Sequence, residues 1–178
     1  MKNDIRYKQK IKRKYLGEIV RLEADRAILE GFLQAFLKYD SFFIYNGIST
    51  EARTDWIIDE LLKAGKRVYL PRVEGKNIVA VPYEGGECKV SNFGIPEPDG
   101  QPFDGNIDVT VVPLLAVNSQ GYRIGYGGGF YDRYLKDRDT LKVGLGYGFQ
   151  MEEFDEEPHD IALDKYLCER GIYDFGKK

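Results

Sequence analysis

A glycine-rich run at residues 121–133 constrains the fold of this chain more than any other segment. It reads Gly-Tyr-Arg-Ile-Gly-Tyr-Gly-Gly-Gly-Phe-Tyr-Asp-Arg and contains five glycines. An apolar, strand-like segment at 109–115 precedes it, and a helix-like segment at 130–136 follows from it. Glycines between a strand and a helix let backbone N–H groups approach an anion closely, and the helix N-terminus adds partial positive charge. The run therefore predicts a phosphate-binding loop.

Predicted strands and helices alternate along the rest of the chain. The first half is predicted to contain a basic helical arm at 4–16, a helix at 20–37, a strand at 41–46, a helix at 55–64 between Thr54 and Gly65, and strands at 67–70 (stopped by Pro71) and 77–83. A long loop at 84–107 follows. The second half is predicted to contain a strand at 108–113, the glycine run with a helix to about Arg138, and strands at 141–146 and 166–173. This alternation predicts an α/β fold, a three-layer α/β/α sandwich with a mainly parallel, Rossmann-like sheet. We expect one domain over 1–178, with a basic N-terminal helical arm at 1–17.

Composition excludes several classes of protein. Apolar residues make up 43% of the chain, enough to bury a core, and the net charge of −3 disfavours a nucleic-acid binder. Cys88 and Cys168 are the only cysteines, so neither a disulfide framework nor a zinc set is expected. The N-terminus lacks an apolar leader and no run is long enough to cross a bilayer. We therefore expect a cytoplasmic protein without a membrane partner.

Charge is distributed unevenly. Residues 1–21 hold eight Lys or Arg, and residues 152–157 hold five acids. The ordinary explanation of each run is a solvated face, more so for the acidic run.

The glycine run matches neither of the best-known nucleotide patterns. It lacks the Gly-Lys-Ser/Thr end of a P-loop, and Phe130 stands where a dinucleotide fingerprint needs glycine. Arg123 is suited to pair with phosphate oxygens, and Asp132 to meet Mg²⁺ near a nucleotide. The alternatives are plain: ion pairs for Arg123 and Arg133, and a helix cap for Asp132.

Aromatic side chains at the glycine run suit a flat ligand. Tyr126, Phe130, Tyr131 and Tyr134 cluster there, and core packing is the expected role of Tyr134. His159 is the only histidine, and no Ser-His-Asp or Cys-His set is present, so the sequence predicts no protein nucleophile.

The string GYRIGYGGGFYDRYL is very similar to the signature of the 5-formyltetrahydrofolate cyclo-ligases, also called 5,10-methenyltetrahydrofolate synthetases. Further segments resemble the family in order along the chain: KNDIR at 2–6, YNGISTEARTDWI at 45–57, LPRV at 70–73, FGIPEP at 93–98 and PHDIALD at 158–164. The resemblance thus covers nearly the whole chain. The glycine string is the specific part of it.

The resemblance implies an enzyme that uses ATP as co-substrate and Mg²⁺ to cyclise 5-formyltetrahydrofolate. It implies nucleotide contacts from Lys2, Arg6, Arg123, Gly125, Gly127, Gly128, Gly129 and Tyr131. It implies folate contacts from Asn46, Glu51, Tyr126, Gly128 and Phe130. It implies Mg²⁺ ligands at Asp132 and Asp164, and Arg123 and Tyr131 as the catalytic residues. We expect a monomer with small-molecule substrates.

The chemistry of such a reaction agrees with the residues present. Phosphorylating the formyl oxygen converts a poor leaving group into a good one, and N10 of the same folate then attacks and releases phosphate. Such a route asks the protein for placement and charge neutralisation.

Three positions depart from the pattern of many relatives, and three other functions stay open. Leu114 stands where a glycine is common, Asn118 where an acid is common, and Arg53 where an acid is frequent. A nucleotide- or phosphosugar-binding module without catalysis is the main alternative. An RNA-binding protein and a sugar-phosphate isomerase with Glu51 or Asp132 as its base are the others.

Overall fold

The computed structural model describes residues 1–176, in which helices and strands alternate. The α-helices of these residues are α1 (Lys2–Lys14), α2 (Glu18–Phe36), α3 (Asp55–Lys63) and α4 (Phe130–Leu135). A short 3-10 helix covers Gly148–Gln150. The strands are β1 (Ser41–Phe43), β2 (Arg67–Glu74), β3 (Asn77–Tyr83), β4 (Lys89–Val90), β5 (Pro96–Glu97), β6 (Val109–Val112), β7 (Ala116–Val117), β8 (Arg123–Ile124), β9 (Leu141–Leu145), β10 (Lys165–Cys168) and β11 (Gly171–Asp174).

A central seven-stranded sheet organises the protein, in the order β11-β10-β9-β6-β1-β2-β3. Its five inner strands, from β10 to β2, are parallel, and each edge strand is antiparallel to its neighbour. The predicted α/β class with a mainly parallel sheet is therefore confirmed. In such a sheet the loops that bind ligands lie at the carboxyl ends of the parallel strands.

The two faces of the sheet are covered by different helices. Ile28, Phe32 and Phe36 of α2 are buried against one face, together with α3. Tyr134 and Leu135 of α4 pack on the other face. Each such side chain contributes roughly 1.5–3 kcal/mol through burial, so these apolar stripes fix the helices to the sheet.

The strand expected to stop at Pro71 instead runs through it to Glu74. β1 pairs with β2 only as far as Tyr69, so the missing N–H of Pro71 removes no hydrogen bond to β1. On its other side β2 continues to pair with β3, where Pro71 lies opposite Ala80. The prediction was wrong because a proline is tolerated where the neighbouring strand has already ended.

The single strand expected at 166–173 is a hairpin of β10 and β11. Cys168 pairs with Gly171, so Glu169 and Arg170 form a two-residue turn. Gly171 has φ of +127°, a conformation that glycine adopts readily.

A second hairpin, β7–β8, stands between β6 and the glycine loop and was not expected. Asn118 shapes its turn, because its Oδ1 accepts from the N–H groups of Gln120 and Tyr122 at 3.1 and 2.9 Å. Its Nδ2 donates to the carbonyl of Phe154. The helix after the glycine loop is also shorter than expected, ending at Leu135.

The basic arm and the acidic run contact each other. Lys8 of α1 lies 2.6 Å from Glu152, and Lys2 lies 3.3 Å from Glu157. Gln9 also donates to Glu152, at 2.7 Å. Most charged side chains of both runs are exposed, as a solvated face requires, but a few opposite charges also join α1 to the acidic run.

No helix among residues 1–176 is both long and apolar enough to span a membrane.

Candidate functional site

A cavity of about 610 Å³ opens at the carboxyl ends of β1 and β6, beside the glycine loop. Every site residue expected from the sequence lines it except Asp164. The expected residues that line the cavity are Lys2, Arg6, Asn46, Glu51, Arg123, Gly125, Tyr126, Gly127, Gly128, Gly129, Phe130, Tyr131 and Asp132. The fold thus brings the N-terminal helix, the segment after β1 and the glycine loop to one place.

The glycine loop at 125–129 needs glycine for two reasons. Gly127 and Gly129 have φ of +102° and +66°, which side chains rarely adopt. Gly125 differs, because a Cβ added there would meet no protein atom within 4 Å. It lines the cavity, so a side chain at this position would occupy ligand space rather than strain the fold.

Arg123, which is buried, pairs with the half-buried Asp132 on the cavity wall. The Arg123 guanidinium donates to Asp132 Oδ1 and to the carbonyl of Ile161, each at 3.1 Å. The N–H of Ile161 donates to the same Oδ1 at 3.2 Å. The ion-pair alternative for Arg123 is therefore real. The cap alternative for Asp132 is not, since Gly129 is the N-cap of α4 and Asp132 lies inside the helix.

Cations of α1 meet acids at one end of the cavity. The Lys2 ammonium lies 2.8 Å from Asp160 Oδ2, and the Arg6 Nε donates to the carbonyl of Gly125 at 2.8 Å. Burial alone would raise the pKa of the Asp160 carboxyl, but hydrogen bonds from Lys2 and from the Glu157 N–H outweigh burial and lower this pKa. Glu157, His159 and Asp160 each offer one atom that could bind a metal ion, and these three atoms lie within 4.8 Å of one another.

Asp164 lies away from this end. It precedes β10, and its Oδ2 accepts from the N–H of Lys142 at 2.8 Å and lies 3.3 Å from the Lys142 ammonium. The amino ends of parallel strands are opposite the edge that carries the cavity, so the structure does not bring Asp164 together with Asp132. The acid of the PHDIALD segment that does line the cavity is Asp160.

Glu51 holds a second part of the wall together. Its Oε2 accepts from the N–H of Ile48 at 2.8 Å, and its Oε1 accepts from the hydroxyl of Tyr126 at 2.5 Å. Desolvation and the Glu51 carboxylate raise the pKa of the Tyr126 phenol, which keeps this hydroxyl a donor. The glycine loop is thereby tied to the segment after β1.

Tyr131 and Phe130 present rings to the cavity from the first turn of α4. Burial is the main cause that raises the pKa of the Tyr131 phenol, so the group is a neutral hydrogen-bond donor at physiological pH. Tyr134, expected in the core, is buried there against Phe43 with ring centroids 4.7 Å apart.

The structure adds residues that sequence reasoning did not assign to the site. The additions include Tyr45, Val73, Glu97, Glu157 and Asp160. Glu97 and Asp160 lie in the FGIPEP and PHDIALD segments, so the resemblance marked their neighbourhoods. No local pattern distinguished either acid from its neighbours.

The three departures lie outside the cavity lining. Leu114 is buried in the core, and Asn118 shapes the β7–β8 turn. Arg53 pairs with Asp55, and its guanidinium lies 4.2 Å from the ring centroid of Trp56, outside the cavity wall.

Comparisons with known proteins agree on one family. The model of the "5-formyltetrahydrofolate cyclo-ligase family" matches residues 1–169. The cyclo-ligase of Mycolicibacterium smegmatis is 32% identical over 90% of each chain. That of Mycoplasma genitalium is 46% identical over 35% of this chain and 39% of its own. The solution structure of the Aquifex aeolicus 5,10-methenyltetrahydrofolate synthetase is 32% identical, with a TM-score of 0.88 over 99% of this chain and 94% of that one. The chain therefore belongs to the 5-formyltetrahydrofolate cyclo-ligase family.

Proposed function

We propose that this protein converts 5-formyltetrahydrofolate into 5,10-methenyltetrahydrofolate, using ATP and Mg²⁺ and releasing ADP and phosphate. One observation carries the proposal: a single cavity is lined by the glycine loop, by Lys2 and Arg6, and by the segment at 45–51. A cavity of about 610 Å³ is within the range of small-molecule sites. Membership of the family supports the same activity.

The reaction needs a leaving group where the substrate has an amide-like oxygen. The formyl oxygen attacks the γ-phosphorus of ATP, ADP departs, and an iminium phosphate results. N10 of the same folate then attacks the formyl carbon and loses its proton, and the C–O bond breaks to release phosphate. The oxygen of the formyl group thus leaves in the phosphate.

The cationic side chains of the cavity bind the phosphates of ATP. Lys2 and Arg6 reach the cavity from the first turns of α1, and Arg123 faces it from β8. Phosphoryl transfer depends on positioning and on charge neutralisation, and these side chains supply both. Asp132 fixes the orientation of the Arg123 guanidinium.

The acids at the end of the cavity next to Lys2 are suited to bind a magnesium ion. Carboxylates together with phosphate oxygens are the usual ligands of Mg²⁺, and the Lys2 ammonium already lies as a cation between Glu157 and Asp160. Asp132 and Asp160, with Glu157 beside them, would hold the ion. When bound, it would neutralise phosphate charge and orient the transferring group.

The neutral phenol of Tyr131 donates a hydrogen bond toward the reacting oxygens, and Phe130 offers a ring to the folate. Asn46, Tyr126 and Glu51 form the folate side of the wall. We further propose that the chain acts as a monomeric, single-domain cytoplasmic enzyme.

An absorbance assay for the methenyl product tests the proposal. Product is expected only when ATP, Mg²⁺ and 5-formyltetrahydrofolate are all present, with one ATP consumed per product. Absence of product from the purified protein would overturn the proposal. ATP binding without consumption would instead favour the nucleotide-binding module.

A further inference from the structure

Arg21 lies behind the wall of the cavity and donates hydrogen bonds to two segments at once. It belongs to the first turn of α2 and does not line the cavity. Its Nη2 donates to the carbonyl of Arg13 at 2.5 Å, and its Nη1 donates to the carbonyl of Thr50 at 2.8 Å. The planar guanidinium holds these donors in a fixed fork, which the single ammonium of a lysine does not provide. Arg21 therefore joins α1 to the turn at 48–51.

Both of these segments carry residues of the proposed site. Arg13 is in the last turn of α1, and the first turns of that helix bring Lys2 and Arg6 to the cavity. Thr50 directly precedes Glu51, which lines the cavity. The carbonyls in the last turn of a helix lack partners within it, and a cation there is favourable. The contact to Arg13 thus holds α1 at the end opposite to its cavity residues.

The two segments have few apolar contacts of their own. Three residues of α1 are buried, namely Ile5, Gln9 and Arg13, and of these only Ile5 is apolar. In the turn at 48–51, Ile48 and Ser49 are exposed, and Ser49 has φ of +49°, which is uncommon for a residue other than glycine. Segments with few buried apolar contacts open at a low cost in free energy. A ligand that binds to either segment therefore has to order it.

The fork itself stands on a firmer base. The phenol oxygen of Tyr147 accepts from Arg21 Nη1 at 3.3 Å, and its hydroxyl donates to Asp25 Oδ1 at 2.8 Å. The guanidinium carbon of Arg21 lies 5.4 Å from the centroid of the Tyr147 ring. Asp25 is buried one turn after Arg21 on the same face of α2. Because α2 packs on the central sheet, the guanidinium is held by a rigid element rather than by a loop.

We propose that Arg21 is a positioning residue that couples nucleotide binding at α1 to folate binding at the turn at 48–51. This proposal rests on the proposed function. A substrate that orders one segment fixes it against the Arg21 fork, so the other segment is ordered at a lower cost and its own substrate binds more tightly. The coupling sets Glu51 relative to Lys2 when both substrates are bound. Phosphoryl transfer needs such alignment of the reacting atoms.

Two substitutions of Arg21 test the coupling. Arg21→Met keeps an apolar stem and removes the donors, whereas Arg21→Lys keeps the charge on one nitrogen. Arg26→Met, at an exposed arginine of the same helix, is the matched control. A thermal melt of each variant establishes that it is folded.

The measurement is calorimetry in the presence of Mg²⁺. For each protein we would measure the Kd of an ATP analogue with a β,γ-methylene bridge, with and without 5-formyltetrahydrofolate. The ratio of the two Kd values is the coupling factor, and the Kd of the folate with and without the analogue has to give the same factor. A smaller fraction of folded protein would lower the number of binding sites and would leave this ratio unchanged.

In the wild type and in Arg26→Met we expect the folate to tighten binding of the analogue by about fivefold or more, the usual size of such couplings. In Arg21→Met the factor should fall to within about twofold of one, and Arg21→Lys should lose most of it, because one ammonium cannot replace the fork. A factor near one in the wild type would overturn the proposal. So would a factor that both Arg21 variants retain.

Tyr126→Phe separates this route from a second one. The glycine loop also touches both segments, through Arg6 and Gly125 on one side and through Tyr126 and Glu51 on the other. We expect Tyr126→Phe to keep the coupling factor. Loss of coupling in Tyr126→Phe but not in Arg21→Met would show that the glycine loop carries it, and would overturn the role of Arg21.

The binding measurement also distinguishes this proposal from the proposed function. A wild-type protein whose coupling depends on Arg21 but which forms no methenyl product would overturn only the proposed function. Normal turnover by the wild type, together with a coupling factor that Arg21→Met leaves unchanged, would overturn only the role of Arg21. Failure of the wild type to bind either ligand would overturn both.

Discussion

The ammonium of Lys2 lies 2.8 Å from Oδ2 of Asp160, which joins the first turn of α1 to a loop 158 residues further along the chain. The contact places a cation and an acid at the end of the cavity next to α1. It also joins α1 to the body of the protein. Under the proposed function, Lys2 exchanges this acid partner for a phosphate of ATP.

Lys2→Ala should raise the KM for ATP by about tenfold or more while the fold stays intact, because a charge-assisted contact to phosphate is lost. Lys8→Ala is the matched control, since Lys8 forms a similar ion pair from the same helix and does not line the cavity. Steady-state kinetics and a thermal melt of both variants test this. Equal KM values for the two variants would remove the N-terminal helix from the nucleotide site.

Asp132→Asn should affect turnover, whereas Asp164→Asn should affect stability. Asp132→Asn should lower Mg²⁺-dependent turnover by about a hundredfold or more, because charge stabilisation by a metal is worth several kcal/mol. Asp164→Asn should leave the Mg²⁺ titration unchanged but lower the free energy of unfolding by about 1–3 kcal/mol, since a buried charge-assisted bond to Lys142 is weakened. A shifted Mg²⁺ titration in Asp164→Asn would contradict this assignment.

Gly125→Ala should weaken ATP binding without unfolding the protein. The added methyl group meets no protein atom within 4 Å, yet it stands in the cavity. We expect the KM for ATP to rise by about tenfold, as a backbone approach to phosphate is blocked. The control is Gly17→Ala, where the nearest atom lies at 4.0 Å and the site is remote. A large fall in Tm for Gly125→Ala would show instead that the loop itself is strained.

Tyr126→Phe removes the hydroxyl that donates to Glu51 at 2.5 Å. We expect a loss of about 1–3 kcal/mol in the free energy of unfolding or in folate binding, the usual weight of a hydrogen bond to a charged group. The KM for ATP should not change. Tyr15→Phe, at an exposed position of the N-terminal arm, is the control. Unaltered folate KM and unaltered stability would show that the Tyr126–Glu51 bond does not organise the site.

Asp25 makes stability depend on pH in an unusual direction. Burial is the main cause that raises its pKa, although Tyr147 donates a hydrogen bond of 2.8 Å to its Oδ1. The folded protein therefore holds this proton more tightly than the unfolded chain, whose carboxyl titrates near 3.8. The contribution of Asp25 to the free energy of unfolding thus falls as pH rises from that value through the raised pKa of the folded state.

Asp25→Asn keeps an acceptor for Tyr147 and removes the buried charge. We expect this variant to lose that part of the pH dependence and to gain stability relative to wild type as pH rises from about 4 to 8, in line with the linkage between protonation and folding. Urea unfolding at several pH values measures both proteins. A relative loss of stability with rising pH would show that the ionised carboxylate is stabilising.

Local patterns in the sequence were sufficient for much of the fold. The four-residue spacing of Ile28, Phe32 and Phe36 predicted α2, and the boundaries of β3 were predicted to the residue. The glycine run predicted a special loop, because only glycine readily adopts the backbone that Gly127 and Gly129 have. Such signals are carried by neighbouring residues, so they can be recognised without the rest of the molecule.

Other features depend on which segments meet. Pro71 looked like the end of a strand, but β1 stops before it, and only the pairing of the sheet shows this. Asp160 and Asp164 are near neighbours in sequence with the same side chain. Asp160 faces the cavity and Lys2. Asp164, at the amino end of β10, faces Lys142 of β9.

The sequence by itself determined the family, the α/β class and the position of the glycine loop, because these are expressed in contiguous residues and their spacing. Only the tertiary structure decided which acids share a site and how the basic arm contacts the acidic run. Those relationships join residues far apart in the chain, and their distances are set by strand order and by the burial of both faces of the sheet.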